Sequence, residues 1–160
     1  MTLIAILKWI HIIGAAVLLG TGAGIAFFMF MANRTKNAAL VAHTASIVVI
    51  ADVVFTTTAV IIQPITGTIL AYLIGWSLGE GWILLSISLY VVTGLCWLPV
   101  VWIQLKMRNL ARVAQTTNTE LPTTYYKLYN LWFILGFPAF VSVLAIFWLM
   151  VAKPQFQLFW

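Results

Sequence analysis

Negative charge is almost absent from this 160-residue chain: Asp52, Glu80 and Glu120 are its only acidic side chains. Charge of either sign is scarce, at 7% of residues, where a soluble domain carries about a quarter. Too few charges remain to cover a water-exposed surface, so a lipid bilayer is the natural surround for a chain that is 64% hydrophobic. Cys96 is the single cysteine, which excludes an intrachain disulfide; beside Trp97 in an apolar run it reads as a small packing hydrophobe. HExxH, CxxC, GxGxxG, P-loop and nucleophile-elbow patterns are all missing, so soluble-enzyme chemistry has no support. The formal charge of +5 does not indicate nucleic acid, because the basic residues form no stripe and gather in two short segments instead.

What the chain does have is four long apolar runs, over roughly 3–31, 40–73, 82–105 and 126–151. A crossing of ~30 Å of hydrocarbon needs about 20 such residues. The expectation is all-α: a polytopic membrane protein, one transmembrane domain over 1–160 forming a four-helix bundle. The second run is longer than one crossing requires, and Gln63-Pro64 with Gly67 predict a kinked second helix, bent near its far end. Gly75, Gly79 and Gly81 predict a tight turn after it. The polar stretch from Gln115 to Glu120 reads as a surface loop preceded by an extra helical turn or two. The first run lacks a basic leader and a small-residue cleavage site, so it is expected to stay in the mature protein.

Lys and Arg set the orientation. Arg34 and Lys36 lie in the first loop, and Lys106, Arg108, Arg112 and Lys127 in the third; only Lys8 and Lys153 fall on the other side. The positive-inside rule therefore places the basic loops in the cytoplasm and both termini outside, in a bacterial cytoplasmic (inner) membrane. Trp9, Trp76, Trp82, Trp148 and Trp160 fall near the outer ends, as an aromatic belt would.

Polar residues inside the runs carry the functional question. A carboxylate at the centre of a membrane helix costs roughly 2.5–3.5 kcal/mol on insertion scales, and Asp52 occupies such a place. At helical spacing Asp52, Thr56 and Gln63 share one face of the second run, while Ser86, Tyr90, Thr93, Trp97 and Gln104 share one face of the third. Such stripes face one another or a cavity, because unpaired polar groups avoid lipid. Asp52, Thr56, Gln63, Tyr90 and Thr93 are the candidate polar site; interhelical hydrogen bonding is the plain alternative, favoured for the hydroxyls.

His11 lies in the first run, with Ala15, Leu18 and Gly22 below it on the same face. Small residues beneath an imidazole leave room for a flat group, and imidazole is an axial ligand of haem iron. On that reading His11 binds a haem iron, Gly22 makes room, and Lys8 and Lys153 meet the propionates. A histidine simply hydrogen-bonded to its surroundings, Gln63 among them, is the favoured plain reading from residue types alone. The opposite face carries Gly20 and Gly24, suited to close helix contact. His43, most of a membrane thickness from His11 at 1.5 Å rise per residue, does not share a ligand site with it.

The opening Leu7-Lys8-Trp9-Ile10-His11-Ile12-Ile13-Gly14 resembles the first helix of the CopD/HemJ-like membrane proteins, and Tyr126 to Asn130 with Ala152-Lys153-Pro154 resembles the HemJ ending. The stretches Ala51 to Thr57, Gln63 to Gly67 and Trp97 to Trp102 resemble most closely a predicted integral membrane family of unknown function within that group. The resemblance implies a four-helix membrane bundle; its HemJ side implies b-type haem on His11 and oxidation of protoporphyrinogen. Ser86 stands at about the position of a lysine in HemJ, and the third run has no histidine. Met29, Met31, Met107 and Met150 are scattered and form no copper-binding cluster.

Three functions follow as expectations. The first, favoured through the resemblance, is a haem-b membrane redox protein with His11 as ligand and Asp52 plus Tyr90 on a proton path. The second is a small transport or channel-like bundle using Asp52 as a proton or cation site and assembling as a homo-oligomer. The third is a structural accessory subunit bound to partners in a membrane complex. From the residues themselves the three stand level.

Overall fold

The computed structural model describes residues 2–155, and every regular element among them is helical. Helices are what lipid permits: with no water to take them, backbone N–H and C=O groups must pair within the segment. Four helices are long and apolar enough to cross a membrane: α1 (Leu3–Arg34), α2 (Ala38–Ile74), α3 (Gly81–Thr116) and α4 (Thr123–Ala152). Local chemistry sets their ends. Thr2 caps α1 by accepting from Ala5 N, and Asn37 caps α2 by accepting from Ala39 N and Leu40 N. At the far end of α2, Gly75 adopts φ 85°, a left-handed cap open to glycine, and Trp76 N closes back on Ala71 O at 2.9 Å.

Short connections make neighbours antiparallel, and α1 also touches α4, which closes the bundle. The most extensive pairing is α3 with α4. The first half of α2 packs on α3 and α1, whereas its second half packs chiefly on α1. The main core lies toward the basic-loop end, where Met29, Val41, Ile103, Met107 and Tyr125 are buried completely or nearly so. Ala42, Ala45, Ala111 and Ala114 pave the contact and let the backbones approach, as membrane helices require. Nearer the termini the buried apolar cluster is small, made of Trp82, Ile83 and Leu149. Large apolar side chains point outward along all four helices, Leu98 (64% exposed) and Ile134 (67%) among them, as befits a lipid-facing surface.

The four spans fall where the apolar runs predict them, with three differences of detail. α3 continues to Thr116, well past residue 105, because Met107, Ala111 and Ala114 share a face that is buried while Lys106, Arg112 and Val113 point away. Hydropathy stops at the first charge; amphipathic packing does not. Second, α2 stays helical through Pro64, and it carries a further irregularity that the residue pattern did not indicate: a π-helical segment, Asp52–Thr56, lying between α-helical Ala38–Ala51 and Thr57–Ile74. Third, Trp82 is an interior residue (7% exposed) rather than part of a lipid-facing belt; Trp9 and Trp148 are exposed, and Trp160 lies outside the described residues.

Candidate functional site

Asp52 opens the π-turn and is 4% exposed. In such a turn the backbone pairs i to i+5, and Thr57 N accordingly reaches Asp52 O, reinforced by Thr57 Oγ1 on the same carbonyl at 3.1 Å. The side chain crosses to α3. Trp97 Nε1 donates to Oδ1 at 3.4 Å, and Gln104 Nε2 donates to Oδ2 at 2.9 Å. Gln104 is itself 5% exposed, and its Oε1 accepts from Trp132 Nε1 of α4 at 3.2 Å. Thr56 Oγ1 lies beside the same carboxylate, buried, without a hydrogen bond of acceptable geometry. One acid thus links α2, α3 and α4, and each of its side-chain partners is neutral.

The π-turn also divides the polar stripe expected on α2. It adds about one residue to the helical path, and one residue rotates the following face by about 100°. Asp52 turns toward α3, whereas Gln63 and Thr66 turn toward α1. Tyr90 has a structural explanation. Pro64 lacks an N–H, so the carbonyl four residues earlier, Val60 O, loses its helical donor. The Tyr90 hydroxyl donates to that carbonyl from α3, the kind of rescue by a neighbouring helix that makes proline tolerable in membranes. Ser86 and Thr93 bond their own helix, to Trp82 O at 2.7 Å and Leu89 O at 2.9 Å. Both hydroxyls thus satisfy the preceding turn of their own helix and make no bond across to a neighbour among the described residues.

His11 occupies a second, separate site between α1 and the far half of α2. Its Nδ1 lies 2.8 Å from Thr66 Oγ1, and Gln63 Nε2 donates to the His11 backbone carbonyl at 2.9 Å. Gln63 therefore does meet His11, through the backbone and not the ring. Two glycines permit these approaches: a Cβ on Gly67 would come within 3.2 Å of His11 Cε1, and one on Gly14 within 2.5 Å of Gln63 Nε2. The tautomer follows from counting protons. A threonine hydroxyl has one hydrogen, and Thr66 Oγ1 also lies within hydrogen-bond distance of Ile62 O at 2.8 Å and Gln63 O at 3.3 Å. Directed at either carbonyl, that hydrogen leaves Oγ1 to accept from His11, which assigns the proton to Nδ1 and the lone pair to Nε2. Nitrogen NMR of ring-labelled protein is expected to show the Nδ1–H form dominant. Thr66→Val, which removes the acceptor, should cost about 1 kcal/mol of stability and relax that preference; an unchanged tautomer ratio would refute the assignment.

Of the other candidates, Gly22 has open space where a Cβ would stand. Lys8 is exposed. Lys153 Nζ sits 5.6 Å from the Trp76 ring centre and 5.9 Å from that of Trp82, held by two aromatic faces that meet edge-on. Grooves on the bundle surface include one of about 480 Å³ at Thr68, Ile69, Tyr72, Trp76 and Leu78 and one of about 250 Å³ between Trp9, Gly14 and Phe55. His11 lines neither groove, and nor does Asp52. The structure thus yields two sites, Asp52–Trp97–Gln104–Trp132 and His11–Thr66. Periodicity placed Trp97 and Gln104 on the right face of α3. Thr66 and Trp132 went unmarked: Thr66 only three residues from Gln63, Trp132 one more tryptophan in an apolar run.

A family model described as "Predicted integral membrane protein (DUF2269)" matches residues 5–154, nearly the whole chain, and the chain belongs to that family. No curated protein and no solved structure matches it.

Proposed function

Taking that membership as the premise, we propose that this integral membrane protein is a small proton-handling bundle of transport type, with Asp52 as the group that takes up and releases the proton. One observation carries the reading: an acid 4% exposed inside a spanning helix, whose side-chain partners are all neutral. An ionisable residue held in this way is a functional group by default, because burying a carboxylate only to pack helices is unfavourable. Its place at the start of a π-turn supports the same view, since such turns occur mostly at functional sites. The choice of a proton over a metal cation rests on the neighbours. A hard cation needs a shell of oxygens, whereas the groups aimed at Asp52 are the N–H groups of Trp97 and Gln104. The proposal includes the orientation and location implied by the Lys/Arg distribution, a bacterial inner membrane with the two basic loops cytoplasmic.

Proteoliposomes under an imposed pH gradient test the reading. Wild-type protein is expected to conduct protons, and Asp52→Asn to reduce the flux by at least about tenfold, the effect of losing a required proton carrier. Asparagine still forms interhelical hydrogen bonds. Equal flux in wild type and variant, or none in either, would therefore favour the accessory-subunit reading, in which Asp52 is a brace.

A second reading, haem b on His11 as the resemblance of the first helix to HemJ implies, is favoured by one observation. Thr66 fixes the ring with the Nε2 lone pair free, the arrangement in which an imidazole ligates a metal while its other nitrogen donates. Haem would supply one-electron chemistry there. His11 lines neither of the two grooves, and Lys153 is engaged by Trp76 and Trp82. The donor nitrogen fits and the propionate partner does not, so no step is assigned to that group.

A further inference from the structure

The amide of Gln104 has two orientations, and only one satisfies both neighbours. With nitrogen toward Asp52 Oδ2 and oxygen toward Trp132 Nε1, each contact is a hydrogen bond, at 2.9 Å and 3.2 Å. With the amide reversed, its oxygen faces a carboxyl oxygen and its nitrogen faces an indole N–H. The first of those reversed contacts becomes favourable if Asp52 carries a proton, since a carboxylic acid donates to an amide oxygen. The second stays unfavourable, because indole N–H is only a donor. Trp132 alone therefore discriminates between the orientations.

We propose that the Trp132 indole is a polarity lock on Asp52. It holds the Gln104 oxygen to itself, turns the Gln104 N–H to the acid, and so disfavours retention of a proton on Asp52. This rests on the proton-handling reading and deepens it, by naming a positioning residue that promotes proton release from a distance of two hydrogen bonds. Trp97 acts in the same direction on the other carboxylate oxygen, but directly. Among the described residues, Asp52 is faced on its own segment by Thr56 and on α3 by Trp97 and Gln104; Trp132 of α4 reaches it only through Gln104, with Tyr129 stacked behind at 6.1 Å. His11 on α1 is bound to Thr66, and Tyr90 on α3 to Val60 O. Trp132 is 5% exposed, which shields the relay from solvent and lipid.

Infrared spectroscopy of full-length protein in lipid nanodiscs, at one fixed neutral pH, tests the lock. The carbonyl stretch of a protonated Asp52 is assigned as the band lost in Asp52→Asn. Trp132→Phe keeps an aromatic ring against Tyr129 and deletes the N–H; its Asp52 acid band is expected to be several-fold stronger than in wild type. In a Gln104→Leu background Trp132→Phe should add nothing, because the relay is already cut, whereas Trp97→Phe should still strengthen the band. If Trp132→Phe fails to fold, benzothienylalanine at position 132 keeps the bicyclic shape with sulfur in place of N–H and should behave alike. A wild-type band already at full strength, no change on deleting the N–H, or the same change without Gln104 would each overturn the lock. None of these results depends on flux, so failure of transport and failure of the lock are told apart.

Discussion

Gln104→Leu is expected to destabilise the bundle by about 2–4 kcal/mol, the sum of two buried polar groups left unpaired. Leucine is similar in bulk to glutamine, so the loss reports hydrogen bonding more than volume. The orphans are Asp52 Oδ2 and Trp132 Nε1, both on residues at least nine-tenths buried. Interhelical hydrogen bonds in membranes average only ~0.6 kcal/mol when both partners are neutral. The larger figure follows because here one orphan is an acid without a counter-charge. Asp52→Leu combined with Gln104→Leu should recover only the part of the loss that comes from the stranded acid, since Trp132 Nε1 stays unpaired in both variants. Reversible unfolding in mixed micelles measures all the corners of the cycle. Strictly additive losses would show that the two side chains do not interact, and the relay to Trp132 would go with them.

Tyr90→Phe should cost about 1–3 kcal/mol, since it strands Val60 O inside the bundle. The argument assigns the cost to Pro64, and a second substitution checks that assignment. In Pro64→Ala the residue regains an N–H that closes the ordinary i to i−4 bond onto Val60 O. Tyr90→Phe in that background should cost less than half as much. Equal costs in both backgrounds would mean that the Tyr90 hydroxyl serves something other than the carbonyl freed by proline. The same result would reopen the place of Tyr90 on a proton path.

Both predictions concern residues that periodicity marked, and both show where periodicity stops. The face of α3 carrying Tyr90, Thr93, Trp97 and Gln104 was correctly grouped, because an uninterrupted helix keeps its phase over many turns. The face of α2 was not. Asp52 and Gln63 are eleven residues apart and share a face only if the helix between them is regular; the π-turn at Asp52–Thr56 breaks the phase. Pro64 and Gly67 drew the expectation of a kink because proline removes a hydrogen bond. In the fold the donor lost at Pro64 is replaced by Tyr90 from another helix, and a further irregularity that no residue pattern indicated, the π-turn, lies earlier in α2 at a carboxylate bonded across to α3.

Span number, approximate span ends and the scarcity of charge are properties each segment has by itself. Transfer of a segment into lipid is nearly a sum over its residues, and for that reason the amino-acid order alone determined a four-helix membrane bundle and singled out Asp52 and His11. Which partner each one meets is not such a sum. Hydrogen bonds fade within a few tenths of an ångström and depend on angle, so a rotation of one residue in α2 sends Asp52 to Gln104 and Gln63 to His11. Only the packed structure decided that Trp132 stands behind the acid and Thr66 behind the imidazole, because those contacts exist only once separate helices have been brought into register.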